Sequence, residues 1–311
     1  MKQGIDMFRR ERLGLEIMLL MVVIIWAANQ TIGKMAIREI SPLVYTTMRF
    51  LLAAPLMLLV LKWREGKLAF ERAALLRLIL LGLIGVTFYQ TLFMTALKYT
   101  SVTNLALMMG ISPIFTVLLG AATGQEKLRG AVIGGCMVAF GGLVLVLRYG
   151  PIQVGAAASS FVGDGLSLAA SFVWGVYPIL IMPLLKKHSG LWVTAWSSVP
   201  GTLGLLIFSG TELLALQCQN ITGLAWFAVL FAAIPVTVFS LLVWYLGIER
   251  LGANQVMVYM YLIPPTSIAI AYFTIGEQIG FLQLMGGAVS MMGLYLVKRA
   301  ANSDHSVMKN K

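Results

Sequence analysis

Residues able to do covalent chemistry are scarce. Among 311 residues there are 12 acidic side chains, two histidines (His188 and His305) and two cysteines (Cys136 and Cys218). His188 falls in a short connection and His305 in the terminal tail, so no histidine cluster is available for a metal or a general base. Carboxylates paired at metal spacing and glycine-rich phosphate loops are missing too. No cofactor is expected, and bond-breaking chemistry is poorly served. What stands out instead are aromatic and amide side chains set in apolar runs. Trp26 precedes Asn29 by three positions and Trp174 precedes Tyr177 by three, so each pair shares a helical face. Such pairs suit a solute with one apolar and one polar end. The plainer reading is packing, since Trp anchors at membrane interfaces and Asn bonds neighbouring helices.

Other polar residues follow the same pattern. Asn104, Met108, Ile111 and Phe115 form one helical stripe, and Gln255, Tyr259, Leu262 and Thr266 form another. Each of these two helices holds a proline, Pro113 or Pro264, which removes a backbone hydrogen bond and can open or kink the helix. Carbonyls freed there are available to a solute, or the proline simply bends a packed helix. Tyr89 shares a face with Phe93, and Ser240 and Trp244 take the equivalent places later in the chain. Trp26, Asn29, Tyr89, Asn104, Met108, Trp174, Tyr177, Trp244, Gln255 and Tyr259 are therefore the cavity candidates. Arg49 is the one basic residue well inside an apolar segment; it meets an anion, serves a gate, or snorkels outward. Asp164 and Glu16 open two apolar segments and are the candidates for gating or coupling. A carboxylate at a helix start is favoured by the dipole, so Asp164 also has a structural explanation.

The elements that carry these residues are set by hydropathy. The chain is 59% hydrophobic and 11% charged, with mean hydropathy +0.88. Soluble domains are about 45–50% apolar and about 25% charged. Such an excess cannot be buried in a soluble core. Soluble enzymes and nucleic-acid binders are excluded, despite a net charge of +11. Ten apolar segments predict ten membrane helices, at 14–33, 43–61, 75–97, 103–122, 130–148, 165–185, 191–209, 223–247, 254–275 and 280–297. Their runs lack the two-residue alternation of a β-barrel. With the N-terminus inside, 18 of the 23 basic residues fall on the cytoplasmic side and four outside, Arg49 being intramembrane. Both termini are then cytoplasmic. The first apolar run follows Arg9, Arg10 and Arg12 without a convincing cleavage site, and is read as a retained helix. The two cysteines suggest no disulfide framework.

The chain also repeats itself. Residues 96–126 align with 247–277 at a shift of 151, placing Pro113 on Pro264, Asn104 on Gln255 and Glu126 on Glu277. The earlier parts align at a shift of 148, placing Glu16 on Asp164 and Trp26 on Trp174. Two halves of five helices each must enter the membrane from opposite faces, an arrangement typical of secondary transporters. The expected fold is thus an all-α polytopic membrane protein of two inverted five-helix repeats, residues 1–150 and 151–311, the second with a cytoplasmic tail. Helices one, three, four, six, eight and nine are expected nearest the cavity. Glycines 130, 134, 141 and 142, and 286, 287 and 293, suggest close packing of spans five and ten at the periphery, faces that would also serve a homodimer.

In its residues the chain resembles the EamA-type branch of the drug/metabolite transporter superfamily, from about Leu15 to Arg299. The first half carries Trp26-Ala27-Ala28-Asn29, Met48-Arg49-Phe50, Ala96-Leu97-Lys98-Tyr99-Thr100-Ser101, Ser112-Pro113 and Glu126-Lys127-Leu128. The second half carries Gly163-Asp164, Ala169, Ala170, Trp174, Pro264 and Gly276-Glu277. The chain departs from the usual pattern at Ala27, Ala28 and Gln125. The resemblance implies an exporter of metabolites or amino acids in a bacterial inner membrane. The expected partners are a small-molecule substrate and the lipid bilayer, with no nucleic acid. The competing readings are an anion or sugar-phosphate antiporter of the same superfamily and, in another class, an integral-membrane enzyme. A channel lacks any filter-like loop.

Overall fold

The structure is a computed structural model that describes residues 2–66, 68–122, 130–149, 157–251, 256 and 259–309. Eight helices are long and apolar enough to cross a membrane: α1 (Leu13–Ala36), α2 (Pro42–Glu65), α3 (Arg72–Tyr99), α4 (Val102–Gly120), α5 (Gly130–Tyr149), α6 (Phe161–Leu185), α7 (Gly190–Leu214) and α8 (Gly223–Ile248). Two shorter apolar helices, α9 (Tyr259–Ile275) and α10 (Phe281–Val297), complete the ten. No strand occurs among the described residues. Residues such as Ile17, Ile24, Leu203, Ile207 and Phe273 are exposed on the outside of the bundle, where only lipid can cover such apolar area.

Local chemistry explains the helix ends. Ser41, Ser101, Ser189 and Thr222 are N-caps whose side-chain oxygens accept from the backbone N–H three residues on, each worth about 1 kcal/mol. Glutamates from neighbouring connections add to this capping. Glu277 accepts from Val102 N and Thr103 N at 3.0 and 2.8 Å, and Glu39 accepts from Thr222 N at 2.9 Å. A carboxylate is favoured at these N-termini by their unpaired donors and the dipole. α2 and α9 stop at Gly66 and Gly276, whose φ of 73° and 65° suit a left-handed cap.

Helix pairing follows the repeat. Three of the packed pairs, α5 with α10, α2 with α7, and α4 with α9, join equivalent helices of the two halves. α3 packs on α6 as α8 packs on α1, and α6 packs on α4 as α1 packs on α9. α3 and α8 also match in a local irregularity: each widens into a π-helical stretch, Leu83–Phe88 and Ala232–Phe239. In α8 the cause is Pro235, which lacks an N–H and crowds the preceding turn. Thr237 and Ser240 donate from their hydroxyls to Ala232 O and Pro235 O, both at 2.8 Å, five residues back. In α3 the wide turn holds Gly85, where a Cβ would lie 2.5 Å from the Tyr177 ring.

Two expectations change here. The helix containing Asp164 starts at Ala157, so Asp164 lies two turns inside it rather than at its N-terminus, and the dipole does not account for it. The helix containing Glu16 starts at Lys2, so Glu16 is likewise interior to its helix. The close α5–α10 crossing uses Gly135, Gly142, Gly286 and Gly293; a Cβ on Gly142 would stand 2.5 Å from Gly286 O. Gly130, Gly134 and Gly141 have nothing within 4 Å, and Gly287 faces Leu107 instead.

Candidate functional site

A cavity of about 230 Å³ lies between the two halves. Each half brings aromatic rings to it. Phe93, Tyr89, Trp174 and Tyr177 form a continuous row, with centroid separations of 5.8, 4.7 and 5.8 Å, and the last two rings lie within 3° of parallel. Tyr177 approaches so closely because Gly85 presents no side chain. On α1, Trp26 is fixed by its indole N–H, which donates to Val236 O at 3.1 Å, and by Trp244, whose ring centroid is 5.1 Å away. The carbonyl it uses belongs to the widened part of α8.

Arg49 enters the cavity from α2 and is only 5% exposed. Its Nε donates to Thr237 Oγ1 at 2.9 Å and its Nη1 to Gln90 Oε1 at 3.2 Å. Thr237 lies in the wide turn of α8, and Gln90 directly after that of α3. The guanidinium carbon is 5.2 Å from the Phe50 centroid. Among the described residues no carboxylate lines the cavity or pairs with this cation. Snorkelling is not what Arg49 does here. Two neighbours on α1, Asn29 and Gln30, also line the cavity, and their side-chain oxygens are enclosed without a hydrogen-bond donor. Buried acceptors of that sort are costly and uncommon.

Of the residues singled out from sequence, Trp26, Asn29, Arg49, Tyr89, Trp174, Tyr177, Pro113 and Pro264 line this space. α4 is interrupted at Gly110 and Ile111, directly before Pro113, and α9 passes from a tight turn at Tyr259–Leu262 into regular helix at Pro264. Ala106, Met109 and Ser112 face the cavity, and Met108 lies in the core. Asn104 and Asp164 are elsewhere, in a buried polar knot. Asp164 Oδ1 accepts from Thr100 Oγ1 at 2.5 Å and from Asn104 Nδ2 at 3.1 Å, and Asn104 Oδ1 accepts from Gln283 Nε2 at 2.7 Å. Lys34 Nζ adds a bond to Thr100 O at 2.6 Å. Trp244 stands behind Trp26, in one apolar cluster with Tyr259. Glu16 is not among the lining residues, and Gln255 and Glu126 lie outside the described residues.

The sequence reading also left out three helices, one of them α10, which was expected at the periphery but brings Met291 to the cavity. α2 contributes Phe50, Ala53 and Met57 besides Arg49, and α7 contributes Thr194, Ser197 and Ser198. A signal existed: at the repeat shift of 148, Arg49 falls on Ser197, so both halves place a polar residue at the same level. Thr194 and Ser197 share a helical face, and Thr194 is hydrogen-bonded to the hydroxyl of Tyr245.

Comparison with known proteins agrees with this architecture. The EamA-like transporter family matches twice, over residues 14–148 and 161–299. An uncharacterized transporter of Archaeoglobus fulgidus is 30% identical over 281 residues, 90% of this chain and 96% of that protein. A probable amino-acid metabolite efflux pump of Escherichia coli is 25% identical, over 90% of this chain and 93% of its own. A probable terminal-alkyne amino-acid exporter of Streptantibioticus cattleyicolor is 27% identical over 71% and 72% of the two chains. A protein of known crystal structure shares the fold at TM-score 0.62 and 16% identity, covering 93% of this chain and 99% of that one.

Proposed function

The chain belongs to the EamA-like transporter family, and from that premise we propose that it exports small amphipathic metabolites, amino acids or close relatives, across the cell inner membrane. It is a multi-pass membrane transporter and not an enzyme. The observation that carries the finer reading is the central cavity: both halves wall it, aromatic faces dominate it, and its described lining holds one cation and no acid. Flat rings accept an apolar side chain, while the amides and Arg49 accept a polar end. Its similarity to a probable amino-acid exporter and a probable amino-acid metabolite efflux pump supports the same class. Residues 1–150 and 151–311 act as the inverted repeats, each taking in turn the conformation the other leaves, which gives alternating access. The distribution of basic residues supports cytoplasmic termini.

The test is flux through the purified protein in liposomes, using a panel of amino acids and small carboxylic metabolites at two pH values. Uptake or counterflow of at least one panel member above empty vesicles is expected. Absence of flux for the whole panel would overturn the reading. Because the described lining holds no carboxylate, flux driven by a gradient of substrate alone is expected without an imposed proton gradient.

A further inference from the structure

We propose that Arg49 is the anchor for a carboxylate of the transported solute and so sets the substrate class. This deepens the transporter reading and rests on it. A cation this deep in the membrane bundle loses its hydration and has to recover that loss from partners. Here two partners are neutral oxygens, Thr237 Oγ1 and Gln90 Oε1, and Nη2 has no hydrogen-bond acceptor among the described residues. The charge is solvated in part and not neutralised. The two bonds nevertheless fix the plane of the guanidinium. Thr237 is itself oriented, since its hydroxyl donates to Ala232 O and leaves a lone pair for Nε.

The remaining Nη donors belong to a side chain that lines the cavity, and they suit an anion that meets them from that side. A carboxylate fits that requirement in charge and in planar geometry. The apolar remainder of such a solute has Tyr89 and Trp174 available to it, because both rings line the same cavity as Arg49. A phosphate monoester fits less well, because its second negative charge meets no other cation in the described lining. Both anions share the guanidinium chemistry, so the experiment separates them.

The experiment measures inhibition of labelled L-phenylalanine and L-leucine counterflow in proteoliposomes of the whole chain. Competitors are the unlabelled amino acids, their carboxamides, and phenyl phosphate. Each carboxamide keeps the ammonium group but puts a neutral isostere in place of the carboxylate, and is expected to compete at least about tenfold less well than its acid. Phenyl phosphate is expected to be the weaker anion. Folded Arg49→Gln protein is expected to lose the distinction between acid and carboxamide, and Arg49→Lys to keep part of it. Equal competition by acid and carboxamide would overturn the proposal, as would phenyl phosphate surpassing the acids, or Arg49→Gln retaining the distinction. Should Arg49→Gln fail to elute as a monodisperse peak, the competitor series on the unaltered protein still decides. Counterflow that is present but indifferent to the carboxylate removes this inference alone. Flux absent for every solute in the wider panel removes the transporter reading together with it.

Discussion

At the scale of single residues, polar groups in the bundle divide into those with partners and those without. Asp164, Asn104 and Gln283 satisfy one another, with Thr100 and Lys34 closing the knot. Asn29 and Gln30 keep enclosed oxygens with no donor. This difference predicts opposite phenotypes. Asp164→Asn places a donor where two donors already point, and should cost about 1–3 kcal/mol of stability. Its carboxylate lies outside the cavity, so the relative affinities for different solutes should stay as they were. Asn29→Ala removes an oxygen that gains nothing in the empty protein. Its melting temperature should hold or rise, while flux falls. Thermal unfolding monitored by tryptophan fluorescence, alongside counterflow, checks both; a destabilised Asn29→Ala would assign that residue to packing. The sequence marked Asn104 and Asp164 as polar residues within apolar runs, yet not their destination. Asn104 joins Asp164 to Gln283, which is 179 positions from Asn104, and no local periodicity reports a contact of that range.

At the scale of elements, what was legible is what hydropathy and spacing encode. The ten spans and the pairs Trp26–Asn29 and Trp174–Tyr177 that line the cavity follow from runs of about 20 apolar residues and from three-residue spacing. The rotation of α4 was not legible. Met108, Ile111 and Phe115 do share one side of it, in a single apolar cluster, but their spacing does not say that this side faces the core while Ala106, Met109 and Ser112 face the cavity. The wide turns of α3 and α8 were hidden for the same reason, since a stretch of five-residue bonding leaves little trace in composition. Glycine content pointed to α5 and α10 without saying which glycines meet. Gly142→Leu should strip about 1–3 kcal/mol or prevent folding, because the Gly286 carbonyl occupies the space. Gly134→Leu, on an open face of the same helix, should leave the melting temperature unchanged or higher. Size-exclusion profiles and thermal unfolding of the two variants test the assignment. Equal loss in both would place a further partner on the open face.

At the scale of the molecule, the charge asymmetry makes an orientation prediction that the native cysteines can test. Cys218 is exposed in the connection between α7 and α8, and Cys136 is buried in α5. A membrane-impermeant maleimide should therefore label the protein in right-side-out vesicles, and Cys218→Ser should abolish the signal. Labelling confined to inverted vesicles would reverse the topology. The pseudo-symmetric whole also contains a mechanical pairing. Ser41, which caps α2, donates to Glu212 near the end of α7 at 2.5 Å, and Ser189, which caps α7, bonds Glu65 at the end of α2. The two serines are repeat equivalents, and Thr47 and Ser209 join the same helices at 2.8 Å nearby. Two rods tied at one end can splay; tied at both ends they turn together or bend together. In the alternating access proposed above, α2 and α7 then move as one pair, and Arg49 travels with both halves rather than with either alone.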